Sequence, residues 1–240
     1  MGHAAGVTPG IFLPGYGARA ASYARGLPAG WTAVQPPSFR ISDGRFPALA
    51  RWVVDLVERS DGPVLLAGHS MGGALAIHAA ARRPHRVAGL VLFAPAGLPL
   101  LHPSRTTGRE VVRNAIRGRY TIPDVLDATI DGLSAPRAAR RLAHELERLD
   151  LRSSIEAVAR AGVPATVVAS ATDRLVTLGH CRAVASLLGA ELRVVDDPGG
   201  HTWMYGAWDR FAVELERARG GRPPAPRHPS SSSAVRRVAT

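Results

Sequence analysis

The residues best equipped for chemistry are Gly68-His69-Ser70-Met71-Gly72, a serine set between two glycines. The apolar run Val64-Leu65-Leu66-Ala67 leads into them, and Gly73 and a helix-forming stretch at 74–82 follow. A strand that turns directly into a helix puts such a serine on a tight bend with its hydroxyl exposed. Side chains at 68 and 72 would collide with the neighbouring strand and helix around that bend, so glycine has a steric task on both sides. The bland alternative is a non-catalytic turn, because the five-residue pattern alone has low specificity.

A serine hydroxyl is a weak nucleophile until a base takes its proton, so the pattern predicts a histidine and an acid further along. For a serine in this setting the expected order is acid, then histidine, each just past a later strand. Asp173 follows the apolar run at 165–169, and His201 follows the run at 191–195 and precedes the last helical stretch. The remaining histidines fit less well. His3 and His228 are terminal, His78 and His85 flank a helix, His102 and His144 fall in an arginine-rich stretch, and His69 and His180 follow no late strand. Asp196 and Asp197 are rival acids, but they stand so near residue 201 in the chain that a turn at the strand end is their ordinary reading. In this assignment Ser70 attacks, His201 is the general base, and Asp173 holds its tautomer and stabilises the imidazolium. Acyl transfer also needs donors for the developing oxyanion. The Met71 backbone N–H at the helix start supplies one, and the Tyr16 N–H in Leu13-Pro14-Gly15-Tyr16-Gly17 is the candidate for the other. That loop's alternative reading is a plain Pro-Gly turn.

Holding these residues in place requires an alternation of strands and helices. Apolar runs at 10–13, 32–35, 64–67, 87–93, 165–169 and 191–195 read as strands. Helical stretches lie near 46–59, 71–82, 177–188 and 203–217. The pattern predicts a three-layer α/β/α sandwich on a mostly parallel sheet. The alternation stops between residues 96 and 162, where helices are expected around 109–117, 122–133 and 136–159; a lid over a pocket is favoured there over plain helical packing. The expected organisation is a core of residues 1–95 and 163–219, an inserted helical lid at 96–162, and a Pro-, Ser- and Gly-rich tail at 220–240 that cannot build a core.

The composition excludes several other classes. Hydrophobic residues make up 46% and charged residues 20%, which suits a soluble globular domain. No apolar run reaches the roughly 18 to 20 residues of a membrane span, and the N-terminus does not read as a secretory signal. Cys181 is the only cysteine, which makes the cytoplasm the expected compartment. The net charge is +11, all 30 basic residues being arginine. Residues 217–240 carry six of them and no acid, leaving +5 on the rest, and no aromatic-interleaved basic stripe suggests nucleic acid as a partner. No cofactor or metal is implied, since neither ligand spacing nor a glycine-rich phosphate loop is present.

Together, Gly68–Gly72, Asp173, His201 and the Pro14–Gly17 loop resemble the α/β-hydrolase superfamily, particularly its small, lidded esterase-like members. The resemblance covers roughly residues 7–218. Two departures stand out: Pro14-Gly15 replaces the His-Gly of many relatives, and too few residues precede the loop for two usual strands, so a sheet trimmed to about six is expected. The resemblance implies hydrolysis of a small-molecule acyl ester through an acyl-enzyme. A thioesterase acting on carrier- or CoA-bound acyl chains is the alternative, and a non-catalytic binding protein on the same fold a further one. Arg105, Arg109, Arg113 and Arg117 recur every four residues with Glu110 the only acid among them, a stripe that would steer an acidic carrier or CoA phosphates. Across 105–160, however, eleven arginines face eight acids, and a mutually compensated, solvated face is the competing reading.

Overall fold

The structure, a computed structural model, describes residues 8–100 and 132–220. Six strands form one parallel sheet: β1 (Gly10–Leu13), β2 (Trp31–Ala33), β3 (Val64–His69), β4 (Val87–Phe93), β5 (Ala165–Ser170) and β6 (Glu191–Val195). Their spatial order is β2-β1-β3-β4-β5-β6. The two central strands are apolar nearly throughout because helices cover both of their faces, whereas β6 at the edge is fully buried only at Val195. The chain runs outward from β1 to β2, then restarts on the other side of β1 with β3. That reversal opens a crevice at the carboxyl ends of β1 and β3, the usual place for a ligand in such a sheet.

The helices are α1 (Ala20–Ala24), α2 (Phe39–Ser42), α3 (Phe46–Glu58), α4 (Met71–Arg82), α5 (Pro136–Glu147), α6 (Arg152–Arg160), α7 (Leu178–Leu188) and α8 (Trp208–Ala218). Period-two alternation along the strands divides the core in two. Leu13, Leu66, Leu90, Leu92, Val167 and Ala169 face one side, against residues of α3, α4, α6 and α7. Phe12, Leu65, Ala67, Val91, Phe93 and Val168 face the other, against Tyr23 of α1, Trp203, and Phe211 and Leu215 of α8. The result is the expected three-layer sandwich.

Several boundaries differ from the sequence expectation, each for a local reason. Strand β2 ends at Ala33 because Pro36 and Pro37 follow and Gln35 turns its amide oxygen to accept the Ala20 N–H at 2.8 Å. The single helix expected at 136–159 is two, α5 and α6, broken where Leu151 N–H donates to the Gly97 carbonyl instead of continuing the helical ladder. The last helix, expected from 203, begins at Trp208 after a 3₁₀ segment, Gly200–Gly206, interrupted at Thr202. Helices α1 and α2 are too short to register as a periodic pattern. The helix expected at 109–117 lies outside the described residues, as does all but the end of the one at 122–133.

The described part of the 96–162 stretch is built into the core. Leu142, Ile155 and Val158 are completely buried, and α6 packs against α4 and α7. Helix α5 reaches across to α3, where Glu145 accepts the Phe46 N–H at 2.7 Å and so caps a helix N-terminus that has no side-chain cap of its own.

Candidate active site

Ser70 sits between β3 and α4 at φ 53° and ψ −113°, a conformation that costs a non-glycine residue about 1–3 kcal/mol. The surroundings hold it there. Ser70 N–H donates to the Phe93 carbonyl at 2.9 Å, and the Ser70 carbonyl accepts from Ala96 N–H at 3.0 Å, tying the bend to the end of β4. The flanking glycines are explained by close approach. A Cβ on Gly68 would run into the backbone of Gly72, and one on Gly72 into the Leu13 carbonyl. The second contact also shows that the loop after β1 lies directly beside the start of α4. Met71 and Tyr16 therefore belong to adjoining segments at the mouth of the crevice. The Tyr16 phenol donates to the Ala139 carbonyl of α5 at 2.9 Å, and its ring lies against that of Phe39.

Asp173 and His201 come together although 28 residues separate them. Both are buried, at 5% and 8% exposure, and His201 Nδ1–H donates to Asp173 Oδ2 at 2.8 Å. The other carboxylate oxygen accepts Leu175 N–H at 2.8 Å and Val176 N–H at 3.0 Å. A buried carboxylate committed in this way on both oxygens leaves the imidazole one orientation. The rival acids serve the turn after β6. Asp197 accepts the Gly199 N–H at 2.7 Å and Asp196 is exposed.

Three further residues lie at the site: His69 and His180, which the sequence weighed only as the base, and Tyr23, which it did not single out. His69 is buried, its Nε2 2.8 Å from the His201 carbonyl and its Nδ1 2.7 Å from the Tyr23 hydroxyl. Burial holds it well below the usual histidine range, and the neighbouring His201 pushes the same way. His180, on α7, points Nε2 at the Pro95 carbonyl at 3.2 Å; burial lowers its pKa against the opposing pull of that carbonyl and of Asp173. A usable signal existed for His69: strand parity puts it on the same face as Leu65 and Ala67, where the segment after β6 packs. Tyr23 and His180 offered none, because only tertiary packing brings them near. Burial raises the Cys181 thiol pKa far above the usual range, the nearby Asp173 pushes the same way, and the thiol is left inert. Among the described residues, no group of three His, Cys, Asp or Glu side chains converges to hold a metal, and no helix is long and apolar enough to cross a membrane.

Comparison with known proteins agrees with this fold. Lipase LipV of Mycobacterium tuberculosis is 41% identical over 96 residues, 36% of this chain, which spans about a third (34%) of that lipase's length. A pimeloyl-(acyl-carrier protein) methyl ester esterase of Xanthomonas oryzae is 28% identical over 207 residues, covering 73% of this chain and 78% of the esterase. In fold, an esterase from Exiguobacterium antarcticum superposes with a TM-score of 0.69 at 17% identity, over 89% of this chain and 92% of that one. The sequence profile of the Alpha/beta hydrolase family matches residues 11–215, from the first strand to the last helix. On that match this chain belongs to the alpha/beta hydrolase family.

Proposed function

We propose that the protein is a serine hydrolase that cleaves carboxylic esters of small acyl substrates through an acyl-enzyme. The observation that carries this reading is the buried hydrogen bond from His201 Nδ1 to Asp173 Oδ2, made at the same end of the sheet as the strained Ser70 bend. With Nδ1 protonated and engaged by Asp173, Nε2 carries the ring's lone pair and acts as the base. Ser70 Oγ attacks the ester carbonyl carbon as its proton passes to His201 Nε2, and the carbonyl oxygen becomes an oxyanion. The backbone N–H groups of Met71, at the helix start, and Tyr16 stabilise that charge. Collapse of the tetrahedral intermediate breaks the bond to the leaving alkoxide, which takes the proton from the imidazolium. Water then repeats the sequence on the acyl-serine and releases the acid.

The printed activities of the two sequence relatives, a lipase and a methyl ester esterase, support an ester rather than an amide. In this reading the 96–162 stretch serves as the lid over the acyl pocket; residues 101–131 of it lie outside the described residues, and α5 is joined to the Tyr16 loop through the Tyr16 hydroxyl. The cytoplasm is the proposed compartment, on the strength of a lone, buried, unpaired cysteine. A second reading, hydrolysis of carrier- or CoA-bound acyl thioesters, is favoured by the carrier-borne substrate in the name of the Xanthomonas relative. The stripe at Arg105, Arg109, Arg113 and Arg117 lies outside the described residues. Further along, Arg141 pairs with Asp43 and Arg160 with Glu156, as in a compensated face.

The test is a fluorophosphonate probe together with p-nitrophenyl esters and acyl thioesters as substrates. Wild type should label and turn over esters faster than thioesters, and Ser70→Ala should abolish both labelling and turnover while remaining folded. Labelling that survives in Ser70→Ala would overturn the assignment. Preferred turnover of acyl-carrier thioesters would select the second reading.

A further inference from the structure

No step of that reaction uses His69, yet its ring reaches three separate parts of the site. Nε2 is 2.8 Å from the His201 carbonyl, on the loop that carries the base. Nδ1 is 2.7 Å from the Tyr23 hydroxyl, on α1. A Cβ on Gly15 would stand 2.9 Å from the same Nδ1, so the oxyanion loop runs directly against the ring. His69 itself is the last residue of β3, covalently next to Ser70.

The partners dictate the tautomer. A carbonyl oxygen only accepts, so Nε2 carries the proton, and Nδ1 is then the acceptor for the Tyr23 hydroxyl. A second proton is disfavoured. It would place a charge on a buried ring, with its centroid 4.6 Å from that of another imidazole that must itself become cationic during turnover. Tyr23 has little freedom to retreat, since Phe12 at 4.6 Å, Tyr205 at 5.4 Å and Phe211 at 6.3 Å surround its ring. His201 is consequently held at both ends, its carbonyl by His69 and its Nδ1–H by Asp173.

We propose that His69 is a positioning residue that fixes the spacing of the Ser70 strand, the Gly15 loop and the His201 loop, with Tyr23 selecting the tautomer that makes this possible. The proposal rests on the reading of Ser70 as nucleophile and His201 as base. Histidine is suited to the task because it is flat enough to lie beneath Gly15 while offering a donor at one edge and an acceptor at the other. Glutamine can retain the N–H directed at the His201 carbonyl. Asparagine is shorter and can retain only the acceptor facing Tyr23.

The experiment compares His69→Gln, His69→Asn, His69→Ala and Tyr23→Phe, with Ser70→Ala and His201→Ala in parallel. The readouts are kcat and KM for a short p-nitrophenyl ester, with kcat expressed per active site titrated by fluorophosphonate, and the thermal midpoint of each variant. A residue needed only for folding lowers the number of titratable sites and the midpoint, but leaves kcat per site unchanged. The expected result is a fall in kcat per site of about 10- to 100-fold for Asn and Ala, the scale of a misplaced reacting group. KM should change by less than about threefold, and Tyr23→Phe should show a smaller fall of the same kind. His69→Gln should stay within about threefold of wild type. Should His69→Ala fail to fold, Gln against Asn carries the comparison. A Gln variant as slow as Asn, or a whole series at wild-type kcat per site, overturns the proposal while leaving the nucleophile and base standing. Labelling that persists in Ser70→Ala overturns the reading beneath it as well.

Discussion

Asp173 shows how much a single residue's bonding decides. Its Oδ1 is committed to two backbone N–H groups and its Oδ2 to His201. An asparagine at this position would keep its one oxygen on the Leu175 and Val176 N–H groups, which need an acceptor, and would therefore turn its NH₂ toward His201. The imidazole would then have to accept at Nδ1 and carry its proton on Nε2, where it cannot take one from Ser70. Asp173→Asn should accordingly lower kcat by about 10,000-fold, as the wrong tautomer does in serine proteases. Its thermal midpoint should change little, because shape and most hydrogen bonds are preserved. A variant with more than about a tenth of wild-type kcat would show that Asp173 does not orient the base.

At the scale of elements, the strand–turn–helix unit is a close-packed joint. Helix α4 approaches β1 and its loop so tightly at Gly72 that no Cβ fits against the Leu13 carbonyl. Leu13 is held in the sheet ladder next to Gly68, so the start of α4, itself buried along most of its length, is the part that must shift. Gly72→Ala should push the helix start away from the loop proposed to carry the second oxyanion donor. Overpacking of this kind costs about 1–3 kcal/mol, measurable as a lower urea midpoint. The same displacement should slow labelling of Ser70 far more than the loss of stability explains, since it moves the Met71 N–H. Tyr16→Phe is the control at the same joint. It removes only the phenol that reaches Ala139 and leaves the backbone donor in place, so its labelling rate should stay close to wild type.

On the scale of the whole molecule, three histidines are held neutral by the fold. Burial lowers the pKa of His69, His78 and His180 alike. Each therefore binds a proton more readily in the unfolded chain, where histidine titrates near about 6.5. Stability from this source is fully present above that pH and is lost progressively as the pH falls toward the lower folded-state values. The thermal midpoint should therefore decline as the pH drops from about 7 to 5. His69→Gln, which removes the most deeply buried of the three, should show a shallower decline. Parallel slopes in the two proteins would mean that His69 carries no such linkage.

The sequence by itself determined the sheet, the order of its layers and the chemically relevant residue types, because these follow from period-two and helical patterns and from glycines whose steric task is local. Gly68, Ser70 and Gly72 could be read directly, since a strand, a bend and a helix are consecutive in the chain. Asp173 and His201 could be nominated because each ends a strand that the pattern reveals. Only the tertiary structure decided that these two meet at 2.8 Å, that Asp197 is spent on its own turn, and that helices α5 and α6 are core elements separated by a Leu151–Gly97 hydrogen bond. It also decided which groups His69 meets. A histidine beside a serine carries no sign of its partners, and Tyr23 and the His201 carbonyl lie 46 and 132 residues away. The difference is physical: patterning records which face of an element is buried, whereas a hydrogen bond between distant loops exists only after the sheet has set the distance between its strand ends.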